Sequence, residues 1–81
     1  MDVLIVEDEP SYLDALKITL EPEGFSVRTA PDGRTGIAAF ESSLPDVILL
    51  DLMLPDISGL DVLRSVRTKS DVPVVVVSAK S

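Results

Sequence analysis

The sequence contains no histidine and no cysteine. Without cysteine there is no disulfide framework and no thiolate metal site, which fits a cytoplasmic setting. Without histidine there is no imidazole nucleophile, general base or metal ligand. Any metal held by side chains must therefore be bound through oxygen, and all-oxygen sites favour Mg²⁺, Ca²⁺ or Mn²⁺. Basic residues are few, 7 Lys and Arg against 14 Asp and Glu, for a formal charge of −7. So acidic a chain repels nucleic-acid phosphate, and direct DNA or RNA binding by this segment is not expected. No apolar run approaches the ~20 residues of a membrane span, and no basic stretch precedes a signal-like segment. No membrane partner is expected. With 81 residues, a single domain over residues 1–81 is the expectation. A chain of that size buries only about 60–65% of its unfolded surface, so its stability margin is thin.

What is present is ordinary for a globular protein, 46% apolar and 26% charged, but its arrangement is informative. Val3-Leu4-Ile5-Val6 is a continuous apolar run too short for a helix, and it ends in Glu7-Asp8-Glu9. Pro10 then suits a first helical position, with Asp8 or Glu9 as cap, and Leu13, Leu16 and Leu20 recur at helical spacing. Pro22 and Gly24 should end that helix. Phe25, Val27 and Thr29 alternate with Ser26, Arg28 and Ala30, the pattern of a half-exposed edge strand. After the turn Pro31-Asp32-Gly33, a second helix should bury Ile37, Ala38 and Phe40, weakened by Gly36.

The run Val47-Ile48-Leu49-Leu50 lacks alternation and reads as a strand buried on both faces, stopping at Asp51. Pro55 and Gly59 punctuate the following loop. Ser58 with Asp61 has capping-box spacing, and Leu60, Leu63 and Val66 give a third helical face beside Val62. Val72-Pro73-Val74-Val75-Val76-Val77 reads as a fourth strand. The order βαβαβαβ implies an α/β, doubly wound parallel sheet with right-handed crossovers and helices on both faces.

Parallel strands put their carboxyl ends on one rim, where open α/β sheets bind ligands. Three of those ends carry polar groups: Glu7 and Asp8, then Asp51, then Ser78. Taken singly, each has a plain structural reading as a helix cap, a strand-ending acid or a turn former. Together, acids crowded into a small space repel one another unless a cation lies between them. Mg²⁺ needs only one or two carboxylates, a carbonyl and water. A carboxylate nucleophile beside such a metal and a hydroxyl has the chemical parts of a phosphoryl site. Asp56 reads as a loop residue without a catalytic role, and Lys80 as a solvent-facing lysine.

The segments Val3 to Glu9, Leu49 to Leu63 and Val74 to Lys80 resemble the receiver domain of bacterial two-component response regulators, along the whole chain. The wording Asp51-Leu52-Met53-Leu54-Pro55 is most similar to receivers that precede winged-helix DNA-binding domains. The resemblance implies a flavodoxin-like fold with strand order 2-1-3-4 and Asp51 as the residue phosphorylated by a sensor histidine kinase. It implies Asp8 and Asp51 as direct Mg²⁺ ligands, Glu7 reaching the ion through water, and Met53 supplying a backbone carbonyl. It further implies Ser78 as the switch hydroxyl and the Ala79 N–H as a donor to the phosphoryl group. Such a module is not an enzyme with a turnover substrate; phosphorylation switches an effector, here a DNA-binding transcription regulator outside this segment.

Receivers continue with a fifth strand that carries an aromatic switch residue and ends in a phosphoryl-contacting lysine, and with two more helices. None of these has a counterpart in the 81 residues, and Lys80 falls too early to match that lysine. The expectation is thus the N-terminal portion of a receiver, phosphorylated slowly or not at all as it stands. Its uncovered fourth strand should make it a homo-oligomer, by edge pairing or segment exchange. Two other classes compete. An aspartyl-nucleophile phosphatase or phosphotransferase usually has a second acid two residues after the nucleophile, where this chain has Met53. A receiver-like assembly module without phosphoryl chemistry would keep the fold alone.

Overall fold

The structure, a computed structural model, describes residues 1–77. Strands and helices alternate as β1 (Asp2–Val6), α1 (Pro10–Leu20), β2 (Ser26–Ala30), α2 (Gly33–Ser42), β3 (Val47–Leu50), α3 (Gly59–Arg67) and β4 (Val74–Val76), with a short 3-10 turn at Glu21–Glu23. Every strand pair is parallel and the order is β2-β1-β3-β4, the doubly wound arrangement expected from the alternation. Val6 stands opposite both Ala30 and Leu50, and Leu50 opposite Val76. The strands therefore finish nearly level, and the residues that follow them emerge on one rim.

Right-handed crossovers decide which face each helix takes. From β1 to β2 the chain moves one way across the sheet; from β2 to β3, and from β3 to β4, it moves the other way. Helix α1 is thus placed on one face, with α2 and α3 on the other. The main core lies under the second pair: Leu4, Val6, Ala30, Phe40, Ile48, Leu50, Val62 and Val66. Burying one such aliphatic or aromatic side chain is worth about 1.5–3 kcal/mol, so this layer carries most of the stabilisation. Val3 and Ile5 are also buried, pointing the other way by the strand's period of two. Helix α1 has no buried residue; Leu13, Leu16 and Leu20 are only half-buried.

That asymmetry corrects four details of the sequence reading. β3 is not equally buried on both faces: Ile48 and Leu50 are buried but Val47 and Leu49 only partly. In β2 the phase is reversed at its end, where Ala30 is buried and Thr29 exposed, because Ala30 faces the α2 layer. In α2 the inward residues are Gly33, Gly36 and Phe40, with Ile37 packed beside them, while Ala38 is exposed. In α3 the buried residues are Gly59, Val62 and Val66, whereas Leu60 is 47% exposed. Gly36 has a positive role: a Cβ there would come within 2.8–2.9 Å of the Val6 methyls, so glycine lets α2 settle onto β1.

The helix ends follow local chemistry. Glu9 caps α1 by accepting from the Ser11 N–H, and Pro10 opens the helix. Gly24, at φ 96°, supplies the left-handed residue that ends the α1 segment. Asp32 caps α2 through the Thr35 N–H at 2.7 Å, and Ser58 caps α3 through the Leu60 N–H at 3.1 Å. The capping box at Ser58 is replaced by a different pairing, since the Asp61 carboxylate bonds Arg64 at 3.1 Å. β4 is shorter than the apolar run around it, and Val75 and Val76 are about half exposed.

Candidate functional site

The rim at the strand ends is held by ladder bonds that run one residue past each strand. The Glu7 N–H donates to the Ala30 carbonyl and the Asp51 N–H to the Val6 carbonyl, both at 3.0 Å, and Val77 N–H donates to Leu50 at 2.9 Å. Strand geometry therefore fixes the main chain of Glu7 and Asp51, with the next residue, Asp8, half-buried beside them. Carboxylate oxygens of Glu7, Asp8 and Asp51 lie within 4.8 Å of one another. Among the described residues, Glu7 and Asp51 are the only polar or charged ones that are buried, at 2% and 1% exposure.

Such burial of acids needs a compensating partner. One oxygen of Glu7 accepts the Glu9 N–H at 2.8 Å; the other, Oε1, is buried without a hydrogen-bond partner among the described residues. Burial pushes the Glu7 carboxyl above its ordinary range; the Glu9 N–H opposes this, and the Asp51 and Asp8 carboxylates raise it further. Asp51 Oδ1 accepts the Met53 N–H at 3.1 Å, which fixes the rotation of the carboxylate. A small divalent cation would satisfy the unpartnered oxygen and offset the crowded charge at once. The donor set is all carboxylate oxygen, which suits a hard ion such as Mg²⁺.

The loop after Asp51 is folded back tightly. The Gly59 N–H donates to the Leu52 carbonyl at 2.9 Å, and a Cβ on Gly59 would collide with the Asp51 main chain. Met53 is 61% exposed on this loop.

The structure thus brings together Glu7, Asp8 and Asp51, and ties Met53 to them through its N–H on the Asp51 carboxylate. Ser78 and Ala79 lie outside the described residues. One residue set aside in the sequence proves well placed: Asp56 accepts from the first two N–H groups of α2, Gly33 at 2.8 Å and Arg34 at 2.9 Å. Its partners are more than 20 positions away in sequence, so no local pattern announced it.

With this geometry in place, comparison with known proteins is informative. The family model for the response regulator receiver domain matches residues 3–81. The chain is 50% identical over 78 residues to the sensory transduction protein RegX3 of Mycolicibacterium smegmatis, covering 96% of this chain and 34% of that protein. It is 43% identical over 79 residues to the DNA-binding response regulator MtrA of the same organism, covering 98% of this chain and 35% of that protein. It spans about a third of the length of these curated relatives. Among solved structures, the response regulator TrrA of Thermotoga maritima, crystallised with Mg²⁺-BeF, superposes with a TM-score of 0.92 at 36% identity, over 99% of this chain and 70% of that one. TrrA in complex with the histidine kinase ThkA gives 0.90 at the same identity and coverage. The level strand ends, the buried acidic rim and these likenesses agree: the chain belongs to the response regulator receiver domain family.

Proposed function

We propose that this receiver accepts a phosphoryl group on Asp51 from a sensor histidine kinase and passes the change to a transcriptional effector. The observation that supports it most is the buried rim, where Glu7 and Asp51 lie with Asp8 inside 4.8 Å and Glu7 Oε1 has no hydrogen-bond partner among the described residues. Asp8 and Asp51 would hold Mg²⁺ directly, Glu7 through water and Met53 through its carbonyl. When bound, the ion neutralises charge on the oxygens of the incoming phosphoryl group.

The chain's own residues do the rest. A carboxylate oxygen of Asp51 bonds to phosphorus as the phosphorus–nitrogen bond of the donor phosphohistidine breaks, leaving an aspartyl phosphate and a neutral imidazole once a proton is taken up. The Met53 N–H on Oδ1 and the ladder bond to Val6 hold the nucleophile still, which lowers the entropic cost of alignment. Glu7 supplies negative charge that retains the cation. Ser78 would turn its hydroxyl to the phosphoryl group, with the Ala79 N–H as a second donor. The relatives are named as signalling proteins and DNA-binding regulators, which supports a switch over a turnover enzyme. No helix among the described residues is long and apolar enough to cross a membrane, and a cytoplasmic setting is proposed. Self-association through the β4 edge is proposed with it.

The test is a small acyl-phosphate donor with Mg²⁺, applied to a version extended to the length of the solved receivers. The protein should gain the mass of one phosphoryl group, and Asp51→Asn should gain none while keeping its fold. Phosphate on another residue of the Asp51→Asn variant refutes the assignment.

A further inference from the structure

The loop that carries Asp51 and Met53 is anchored at a second place, on the start of α2. The first N–H groups of a helix have no intrahelical partner, and in α2 three of them are taken by two carboxylates from different segments. Asp32 takes Thr35 at 2.7 Å. Asp56 takes the other two, Gly33 on Oδ1 at 2.8 Å and Arg34 on Oδ2 at 2.9 Å. Both oxygens of Asp56 are used, and both bonds are charge-assisted, the shorter and stronger kind. The next residue, Ile57, closes the same contact from the apolar side. It packs where a side chain on Gly33 would stand, so Gly33 admits the loop by having none.

Helix α2 already has its own cap in Asp32, so the second carboxylate matters more to the loop than to the helix. Between Asp51 and Gly59 the loop is fixed near its ends by Asp51 N–H to Val6 and Gly59 N–H to Leu52. Asp56 and Ile57 add a fixed point in the middle, on an element that belongs to neither β3 nor α3.

We infer that Asp56 is a positioning residue for the acidic rim: by clasping the β3–α3 loop to the first two N–H groups of α2, it holds the main chain of Asp51 to Met53 in the arrangement that takes a divalent cation. The inference rests on the reading that the rim binds Mg²⁺. Desolvation at Asp56 would raise its carboxyl pKa, but the N–H groups of Arg34, Gly33, Ile57 and Asp56 itself outweigh it and hold it below the ordinary range. The clasp thus keeps its charge at neutral pH. An amide at this position would offer one acceptor oxygen and set its NH₂ against the second N–H.

The experiment compares Mg²⁺ titrations of the protein, followed by the amide signals of Glu7, Asp8 and Asp51, across wild type, Asp56→Ala, Asp56→Asn and Asp32→Ala. Asp32→Ala removes the other cap of the same helix without touching the loop, and so controls for weakened α2. Asp56→Ala should bind Mg²⁺ about tenfold more weakly, the lower end of the effect of outer partners on metal sites. Asp56→Asn should fall between it and wild type, and serves alone if Asp56→Ala fails to fold. Asp32→Ala should lower thermal stability yet bind Mg²⁺ as wild type does. Wild-type affinity in the Asp56 variants, or an equal loss in Asp32→Ala, overturns the positioning role. A wild-type titration that leaves the Glu7, Asp8 and Asp51 amides unmoved instead brings down the metal reading itself, and the positioning role with it.

Discussion

Gly59 lies against the main chain of Asp51: a Cβ at position 59 would strike the Asp51 carbonyl oxygen and come within 2.6 Å of the Leu52 α-carbon. The neighbours are backbone atoms, which cannot swing aside as a side-chain tip would. Alanine is the better helix former by up to ~1 kcal/mol, and position 59 opens α3. Overpacking costs about 1–3 kcal/mol and should win. Gly59→Ala is therefore expected to lower the denaturant midpoint and to move the amide signals of Asp51 and Leu52. A midpoint equal to or above wild type would mean the loop yields freely.

Glu7 makes the metal-free protein's stability depend on pH in a definite sense. Its carboxyl is held above the ordinary value by burial, with the Asp51 and Asp8 carboxylates adding to the effect against the Glu9 N–H. Across the window from the unfolded value, about 4.5, up to the raised folded one, the native state binds more protons than the unfolded chain. Its contribution is then fully present below that window and is lost as pH rises through it. Without Mg²⁺, stability should decline over this range, and Glu7→Gln should flatten the decline. With Mg²⁺ the sign reverses, because the ion favours the ionised rim and stabilises the folded state by mass action. Paired urea melts with and without Mg²⁺ check both halves; a metal-free curve that rises across the window in wild type contradicts the account.

The fold was legible because short apolar runs ending in acid alternate with helical spacing, which leaves few topologies. The rim was legible for the same reason, since Glu7, Asp8 and Asp51 each follow a strand. What escaped was the division of burial between the two faces. Val47 and Leu49 are as apolar as Ile48 and Leu50, yet only the latter pair lies under α2 and α3; composition carries no record of which face is better covered. Asp56 escaped for a different reason. Its role is set by Gly33 and Arg34 on another element, and local patterns do not report long-range hydrogen bonds.

The contact between Gly36 and Val6 should be visible as non-additivity. A Cβ at 36 would meet both Val6 methyls at 2.8–2.9 Å, so Gly36→Ala is expected to cost about 1–3 kcal/mol through overpacking. Val6→Ala alone opens a cavity and is also destabilising. In the double variant the new methyl occupies space the old ones left, and its cost should fall short of the sum by at least ~0.5 kcal/mol, the lower range for residues in contact. Strict additivity in urea unfolding would show that α2 shifts away from β1 instead.

The last expectation concerns β4. Among the described residues it pairs with β3 alone, and Val75 and Val76 are 49% and 48% exposed. Where no further strand covers it, an uncharged, β-branched edge of this kind offers unpaired main-chain groups to another chain. The strand is only three residues long, and cross-strand pairs contribute roughly 0.2–1 kcal/mol each. Edge pairing alone therefore supports only weak association, no tighter than millimolar, since even millimolar binding is worth about 4 kcal/mol. Exchange of longer segments would be tighter and slower to reverse. Sedimentation over a concentration series should show reversible self-association, and Val75→Lys, which places a charge on the edge, should abolish it without unfolding the sheet. Two results would rule the edge out: a monomer at every concentration with the outward-facing Val76 amide protected from exchange, or a dimer that Val75→Lys leaves intact.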